Sequence, residues 1–88
     1  MLEKTIETAL VKHVKALGGM AEKFTSPSKR SVPDRLVTLP GGQIIFVELK
    51  APGKKPTPKQ ELDHQRRRDL GCDVRVISTL EEVDVFPN

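Results

Sequence analysis

The stretch from residue 43 to 49, Gln-Ile-Ile-Phe-Val-Glu-Leu, constrains the fold more than any other part of the chain. Its β-branched and aromatic residues favour a strand. Because apolar residues fill odd and even positions alike, we expect a central strand that is buried on both faces. A chain of 88 residues has room for one domain. Residues 1–88 are therefore predicted to form one α/β domain around this strand.

The remaining elements follow from apolar periodicity and from the positions of glycine and proline. They are predicted as a helix at 2–17, a strand at 20–24, a loop at 25–33, a strand at 34–39, a hairpin turn at 40–42, a loop at 51–56, a helix from Pro58 to Gly71, a strand at 72–77 and a helical turn at 80–83. The order is α-β-β-β-α-β, and we expect a mixed central sheet with helices packed against it.

Several side-chain positions can be predicted in the same way. Alternation in the first strand points to Met20 and Phe24 as inward positions, and the last strand is expected to place Cys72, Val74 and Val76 on one face. His13 falls within the apolar stripe of the first helix, which predicts a core or interface histidine. The C-terminal residues Val83, Val85 and Phe86 are expected to be exposed, and the alternative is that this segment folds back on its own sheet.

Charge and composition exclude several classes of protein. The single cysteine excludes an internal disulfide framework and a cysteine-rich zinc site. No apolar run is long enough to span a bilayer, and the charged N-terminal segment is not a signal peptide, so we expect a soluble cytoplasmic protein. The net charge is +3, but residues 50–69 carry a local +4 and residues 23–35 a local +3. This clustering is typical of a protein with a polyanionic partner, and charge alone fits a solvated lysine-rich surface equally well.

Three residues suggest a chemical site at one end of the central strand. Glu48 and Lys50 are two residues apart and point to the same face, and a hairpin would bring Asp34 across from Glu48. Two carboxylates that close together repel each other unless a cation lies between them. Oxygen ligands with open water positions suit Mg²⁺ or Mn²⁺. The pattern predicts metal-assisted hydrolysis of phosphodiesters, and the plainer alternative is a surface salt bridge between Glu48 and Lys50.

The order of these motifs resembles the PD-(D/E)xK nuclease superfamily, with its restriction-endonuclease-like core. The residues that carry the likeness are Ser31-Val32-Pro33-Asp34, then Glu48-Leu49-Lys50, then Gln60 at the start of a helix. The pattern is most similar to VRR-NUC domains of the small stand-alone phage type, and it covers nearly the whole chain. Ser31 stands where that family usually has glycine.

This resemblance implies a set of site residues. Asp34, Glu48 and the backbone carbonyl of Leu49 would hold the metal, and Lys50 would be the catalytic lysine. An acidic residue of the first helix, either Glu7 or Glu3, would serve the metal site directly or through water; we place Glu7 among the catalytic residues. Gln60 would also be catalytic, although a capping box with Thr57 explains it without catalysis. His64, one turn later, could face either the site or solvent.

The resemblance also implies a DNA substrate, with branched or structured DNA such as four-way junctions expected. The residues predicted to contact nucleic acid are Lys23, Ser26, Lys29, Arg30, Lys54, Lys55 and Arg67. We further expect a homodimer, because a small core leaves apolar surface that a second copy can bury. The alternative function is a non-catalytic nucleic-acid-binding domain that keeps the nuclease fold. A small basic domain that binds a protein partner is disfavoured by the two basic clusters.

Overall fold

The computed structural model describes all residues from 1 to 88, and it has the predicted order of elements. The helical turn predicted at 80–83 is a short helix that extends to Val85. The helices are α1 (Glu3–Ala16), α2 (Pro58–Asp69) and α3 (Leu80–Val85). The strands are β1 (Met20–Lys23), β2 (Arg35–Leu39), β3 (Gln43–Leu49) and β4 (Val74–Ile77). None of the helices is long and apolar enough to cross a membrane.

The four strands form one mixed sheet in the order β1-β2-β3-β4. β1, β2 and β3 are antiparallel neighbours, whereas β4 runs parallel to β3. The strand predicted to be central therefore has a partner on each side. The parallel pairing follows from the α2 crossover, since parallel neighbours need a long connection.

The core lies between α1 and one face of the sheet. Ile6, Leu10 and Val14 are fully buried at helical spacing along α1, and they pack against the inward residues of β2 and β3. Strand alternation assigns Val37 and Ile45, which are opposite each other in the register, to this same face. The amphipathic stripe predicted for the first helix is confirmed, although Leu17 at its end is 42% exposed.

The inward face of β1 is the opposite of the predicted one. Ala21 is buried and pairs with Val37, whereas Met20 is 53% exposed. Phe24 lies just beyond the strand and packs edge-to-face against Phe46 on the side of α2, with a centroid distance of 5.5 Å. The prediction failed because a strand of four residues gives too short an alternation to decide between its two faces.

The C-terminal segment folds back on the core instead of lying exposed. Val83 and Phe86 are 2% and 4% exposed, and only Val85 points outward, at 56%. The ring of His13 is within hydrogen-bond distance of the Phe86 carbonyl, with Nε2 and the oxygen 2.7 Å apart. His13 therefore ties α1 to the C-terminal segment of its own chain.

β4 is covered on both faces, which differs from the predicted one-sided pattern. Val74 and Ile77 are buried on opposite faces, Val76 is half-buried, and Cys72 is half-buried in the loop before the strand. β3 departs from its prediction too, because Ile44 is 45% exposed on the face that α2 leaves open. A short helix such as α2 cannot cover the whole of that face.

Candidate active site

Asp34 and Glu48 meet at the end of the β2–β3 ladder, as predicted from the hairpin. The register pairs Arg35 with Val47, so one further step places Asp34 opposite Glu48. Asp34 itself lies just before β2 and is fixed on two sides. Its carbonyl accepts from the Phe24 N–H at 2.9 Å, and its Oδ2 accepts from the Leu49 N–H at 2.8 Å. The two carboxylates thus share one end of the sheet.

The same register explains why the Leu49 carbonyl is open for a ligand. One step beyond Asp34 the residue opposite Leu49 is Pro33, which is buried and has no N–H to donate. In an antiparallel pair the N–H and C=O of a residue point to the same side, and the Leu49 N–H points to Asp34. The Leu49 carbonyl is therefore directed toward Asp34 without a ladder partner.

Glu48 is almost fully buried, at 1% exposure, and lies among polar side chains. Its Oε2 accepts from Gln60 Nε2 at 3.3 Å and is 3.5 Å from the ammonium of Lys50. Burial is the main cause that raises the pKa of Glu48 from 4.5 to about 8, and the negative charge of Asp34 adds to it. Lys50 acts in the opposite direction. The positive charge of Lys50 therefore offsets the effect of burial on this carboxylate only in part.

His64 faces this site and not the solvent. It is fully buried on α2, and its Nε2 is 3.5 Å from Oε1 of Glu48. Neither ring nitrogen has a hydrogen-bond partner, and neither has Oε1 of Glu48. Burial, followed by the charge of Arg68, lowers the pKa of His64 and so favours the neutral ring. The sequence signal was its position four residues after Gln60, which puts both side chains on one helix face.

Gln60 forms the predicted capping box and also contacts the Glu48 carboxylate. Its backbone N–H donates to the Thr57 hydroxyl at 3.2 Å and its Oε1 accepts from the Thr57 N–H at 2.9 Å, which completes the capping box. The other end of the same amide, Nε2, donates to Glu48. The cap therefore fixes the side chain that contacts the carboxylate.

The structure does not bring the acidic residues of α1 to the two carboxylates. Oε2 of Glu7 accepts from Arg35 Nε at 3.1 Å and lies 3.0 Å from its Nη2. Arg35 is paired with Val47, so it lies on the α1 face, whereas Glu48 lies on the α2 face. Glu3 is exposed in the first turn of α1. Glu7 thus forms an ion pair that joins α1 to β2.

A groove of about 490 Å³ lies beside the site, between the loop before β2 and the first turns of α2. Its lining includes four cationic side chains together with Gln60, which also contacts Glu48. The four cations are Lys29, Arg30, Lys59 and Arg66. Lys29 and Arg30 are predicted nucleic-acid contacts, whereas Lys59 and Arg66 are not among the residues predicted to contact nucleic acid.

The other predicted nucleic-acid contacts are placed differently. Lys23, Lys54 and Lys55 are exposed, and the Ser26 hydroxyl lies 3.4 Å from that of Ser28. Arg67 is engaged within the protein. Its Nε donates to buried Asp63 at 2.8 Å, and its guanidinium lies over the Phe24 and Phe46 rings, at 5.2 and 4.9 Å from their centroids.

The donor set suits a hard divalent cation with several water ligands. It consists of the Asp34 and Glu48 carboxylates and the open Leu49 carbonyl, and no group of three or more metal-binding side chains accompanies it. The unpartnered Oε1 of Glu48 and the raised pKa of its carboxyl both indicate missing positive charge at this point. Oxygen donors in this small number are typical of Mg²⁺ and Mn²⁺ sites, which keep water in the remaining positions.

Comparisons with known proteins identify the family of this chain. No family model matches the sequence. A phage protein named "Putative nuclease p44", from Acyrthosiphon pisum secondary endosymbiont phage 1, is 52% identical over 85 residues, which is 97% of this chain and 91% of that protein. A solved structure described as "VRR_NUC domain" superposes with a TM-score of 0.88 at 36% identity, covering 93% of this chain and 89% of the other. The chain therefore belongs to the VRR-NUC family of nucleases and is of the small phage type.

Proposed function

We propose that this nuclease is a divalent-metal-dependent endonuclease that hydrolyses phosphodiester bonds in DNA. The observation that carries the proposal is the buried Glu48 carboxylate, which faces Asp34 at the end of the sheet and has Lys50 3.5 Å away. Placing a second carboxylate beside a buried one is unfavourable, and a cation bound between them would relieve the repulsion.

Asp34, Glu48 and the Leu49 carbonyl would hold Mg²⁺ or Mn²⁺. Such an ion, when bound, supplies positive charge that polarises a phosphate and lowers the pKa of a coordinated water. Lys50 presents an ammonium on the same face and stabilises the negative charge that develops on the phosphate. Gln60 keeps the Glu48 carboxylate in place through its hydrogen bond to Oε2.

The basic groove supports a nucleic-acid substrate. Lys29 and Arg30 approach it from the loop before β2, and Lys59 and Arg66 approach it from α2. Because Gln60 belongs both to the groove and to the Glu48 site, a strand whose phosphates lie in the groove reaches the carboxylates directly. Lysine and arginine side chains of this kind contact the phosphate backbone of DNA. Such contacts fit recognition of DNA shape more than of base sequence.

We further propose that two copies pair and act on branched DNA. On the sheet face that α2 leaves open, Met20 and Ile44 are 53% and 45% exposed and flank Thr38 in one row of the register. A second copy is one way to bury this apolar row. A two-fold dimer would carry two sites, which suits paired incision of a four-way junction.

The test is cleavage of labelled single-stranded, duplex, flap and four-way-junction DNA with Mg²⁺, Mn²⁺ or EDTA. We expect metal-dependent cleavage with a preference for branched substrates. Lys15→Ala, which removes an exposed cation of α1, is a control that should cleave normally. Binding of the same DNAs without any cleavage, at every metal concentration, would favour the non-catalytic alternative. Equal cleavage in EDTA would exclude the metal-dependent mechanism.

A further inference from the structure

Gln60 and His64, one turn apart on α2, lie next to the two oxygens of the buried Glu48 carboxylate. Gln60 Nε2 contacts Oε2 of Glu48, and His64 Nε2 lies 3.5 Å from Oε1. His64 is 0% exposed and Glu48 is 1% exposed, so water does not reach the space between the ring and Oε1 from outside. The family resemblance and the sequence motifs assign a role to Gln60 but none to His64.

The number of N–H groups on an imidazole limits the hydrogen bonds that His64 can donate. A neutral ring has a single N–H, which is on either Nδ1 or Nε2. Nδ1 has no hydrogen-bond partner in the protein, and the acceptor nearest to Nε2 is the unpartnered Oε1 of Glu48. A closure of about 0.6 Å would bring the pair to the usual N–H···O distance of about 2.9 Å. One small movement would therefore satisfy two buried polar atoms, each of which is costly to leave unpaired.

We propose that His64 is a positioning residue for Glu48, whose Nε2–H donates to Oε1 and holds the carboxylate in the orientation that binds the divalent cation. This inference rests on the proposed metal-dependent function. A carboxylate has about four lone-pair positions, so Oε1 can accept from His64 while the group also serves as a ligand. Gln60 and His64 then fix both ends of the carboxylate from one rigid helix.

Replacing His64 by glutamine or by asparagine distinguishes the positioning role from simple packing. In glutamine the amide nitrogen occupies nearly the position of histidine Nε2, whereas in asparagine it corresponds to Nδ1. His64→Gln should therefore keep Mn²⁺ affinity, measured by calorimetry, within about threefold of the native protein. His64→Asn and His64→Leu should lose about 10- to 100-fold, the usual cost of removing a group that orients a metal ligand.

Three further measurements complete the experiment. Thermal unfolding without metal identifies any variant that does not fold, and only folded variants are compared. In the native protein with Mg²⁺, the ¹⁵N chemical shifts of His64 should show the Nε2–H tautomer. Cleavage of the preferred DNA should follow Mn²⁺ affinity across the variants when the metal is limiting.

The outcomes separate this proposal from the proposed function. If the native protein binds no Mn²⁺ and cleaves no DNA, the proposed function fails. If the native protein binds and cleaves, but folded His64→Asn or His64→Leu binds Mn²⁺ equally well, the positioning role is excluded. An Nδ1–H tautomer in the Mg²⁺-bound protein would exclude it independently, even if no histidine variant folds.

Discussion

Replacing Glu48 by glutamine should stabilise the metal-free protein, and the gain should depend on pH in a defined direction. The folded-state pKa of Glu48 is raised to about 8 from an ordinary value of 4.5. At pH values between 4.5 and about 8, Glu48 is therefore deprotonated in the unfolded chain and protonated in the folded protein. The stability of the native protein should therefore be highest below pH 4.5, fall as pH rises, and level off above pH 8. Glu48→Gln has no charge to lose, so this fall should be absent.

The size of the effect follows from the same pKa values. At 1.36 kcal/mol for each pKa unit, the difference between 4.5 and about 8 corresponds to at most about 5 kcal/mol. Structural relaxation and water entry absorb part of this cost, so we expect Glu48→Gln to gain about 2–4 kcal/mol at pH 8.5. A domain of this size has about 4–13 kcal/mol of stability in total. The substitution should therefore be conspicuous in any unfolding measurement.

Urea unfolding between pH 4 and 9, with EDTA present, measures the difference directly. Glu22→Gln is the matched control, because it removes the same charge from an exposed position on β1. We expect its stability to stay within about 0.5 kcal/mol of the native protein. If the native and Glu48→Gln proteins gave parallel stability curves from pH 4.5 to 8.5, the buried, uncompensated carboxylate would be the wrong explanation of this site.

Further predictions concern catalysis, metal binding and assembly. Asp34→Asn and Glu48→Gln should each fold and lose all cleavage; wild-type rates with Mg²⁺ from either would contradict the metal site. Lys50→Ala should keep Mn²⁺ affinity but lose about 2.7–4 kcal/mol of transition-state stabilisation, about 10²–10³ in rate, and a normal rate would reduce Lys50 to a salt-bridge partner of Glu48. Mn²⁺ affinity in calorimetry should rise about tenfold per pH unit from pH 6 to 7.5, because Glu48 must lose its proton; a flat profile would count against this. Light scattering should give twice the single-chain mass of 9.8 kDa, and a single-chain mass at every concentration would remove the paired-incision mechanism.

The parts that sequence reasoning predicted well depend on local rules. The hairpin register placed Asp34 opposite Glu48, and the Thr57–Gln60 capping box started α2 at Pro58. These features are decided within a few residues by turn chemistry and strand alternation.

The features that could not be predicted depend on contacts between residues that are far apart in the sequence. Val83 and Phe86 are buried because α3 lies against α1, a contact between the two ends of the chain. Arg67 was expected to meet phosphate, but Asp63, four residues earlier on α2, accepts from its guanidinium, and Phe24 and Phe46 lie under it. Glu7 was expected at the metal site, but it forms an ion pair with Arg35 on the α1 face of the sheet. Asp63 could be identified from helical spacing, whereas the two phenylalanines and Arg35 could not.

The cap at Thr57 also sets which changes of chain length this enzyme can tolerate. Gln60 and His64 reach Glu48 only at one rotation of α2 about its axis, and the capping box fixes that rotation. Residues 51–56 lie before the cap, so an insertion there lengthens a surface loop at a small entropic cost. One residue inserted between Gln60 and His64 would turn the two side chains about 100° apart. Length variants should therefore remain active when they fall before Thr57 and lose activity when they fall inside the first turns of α2.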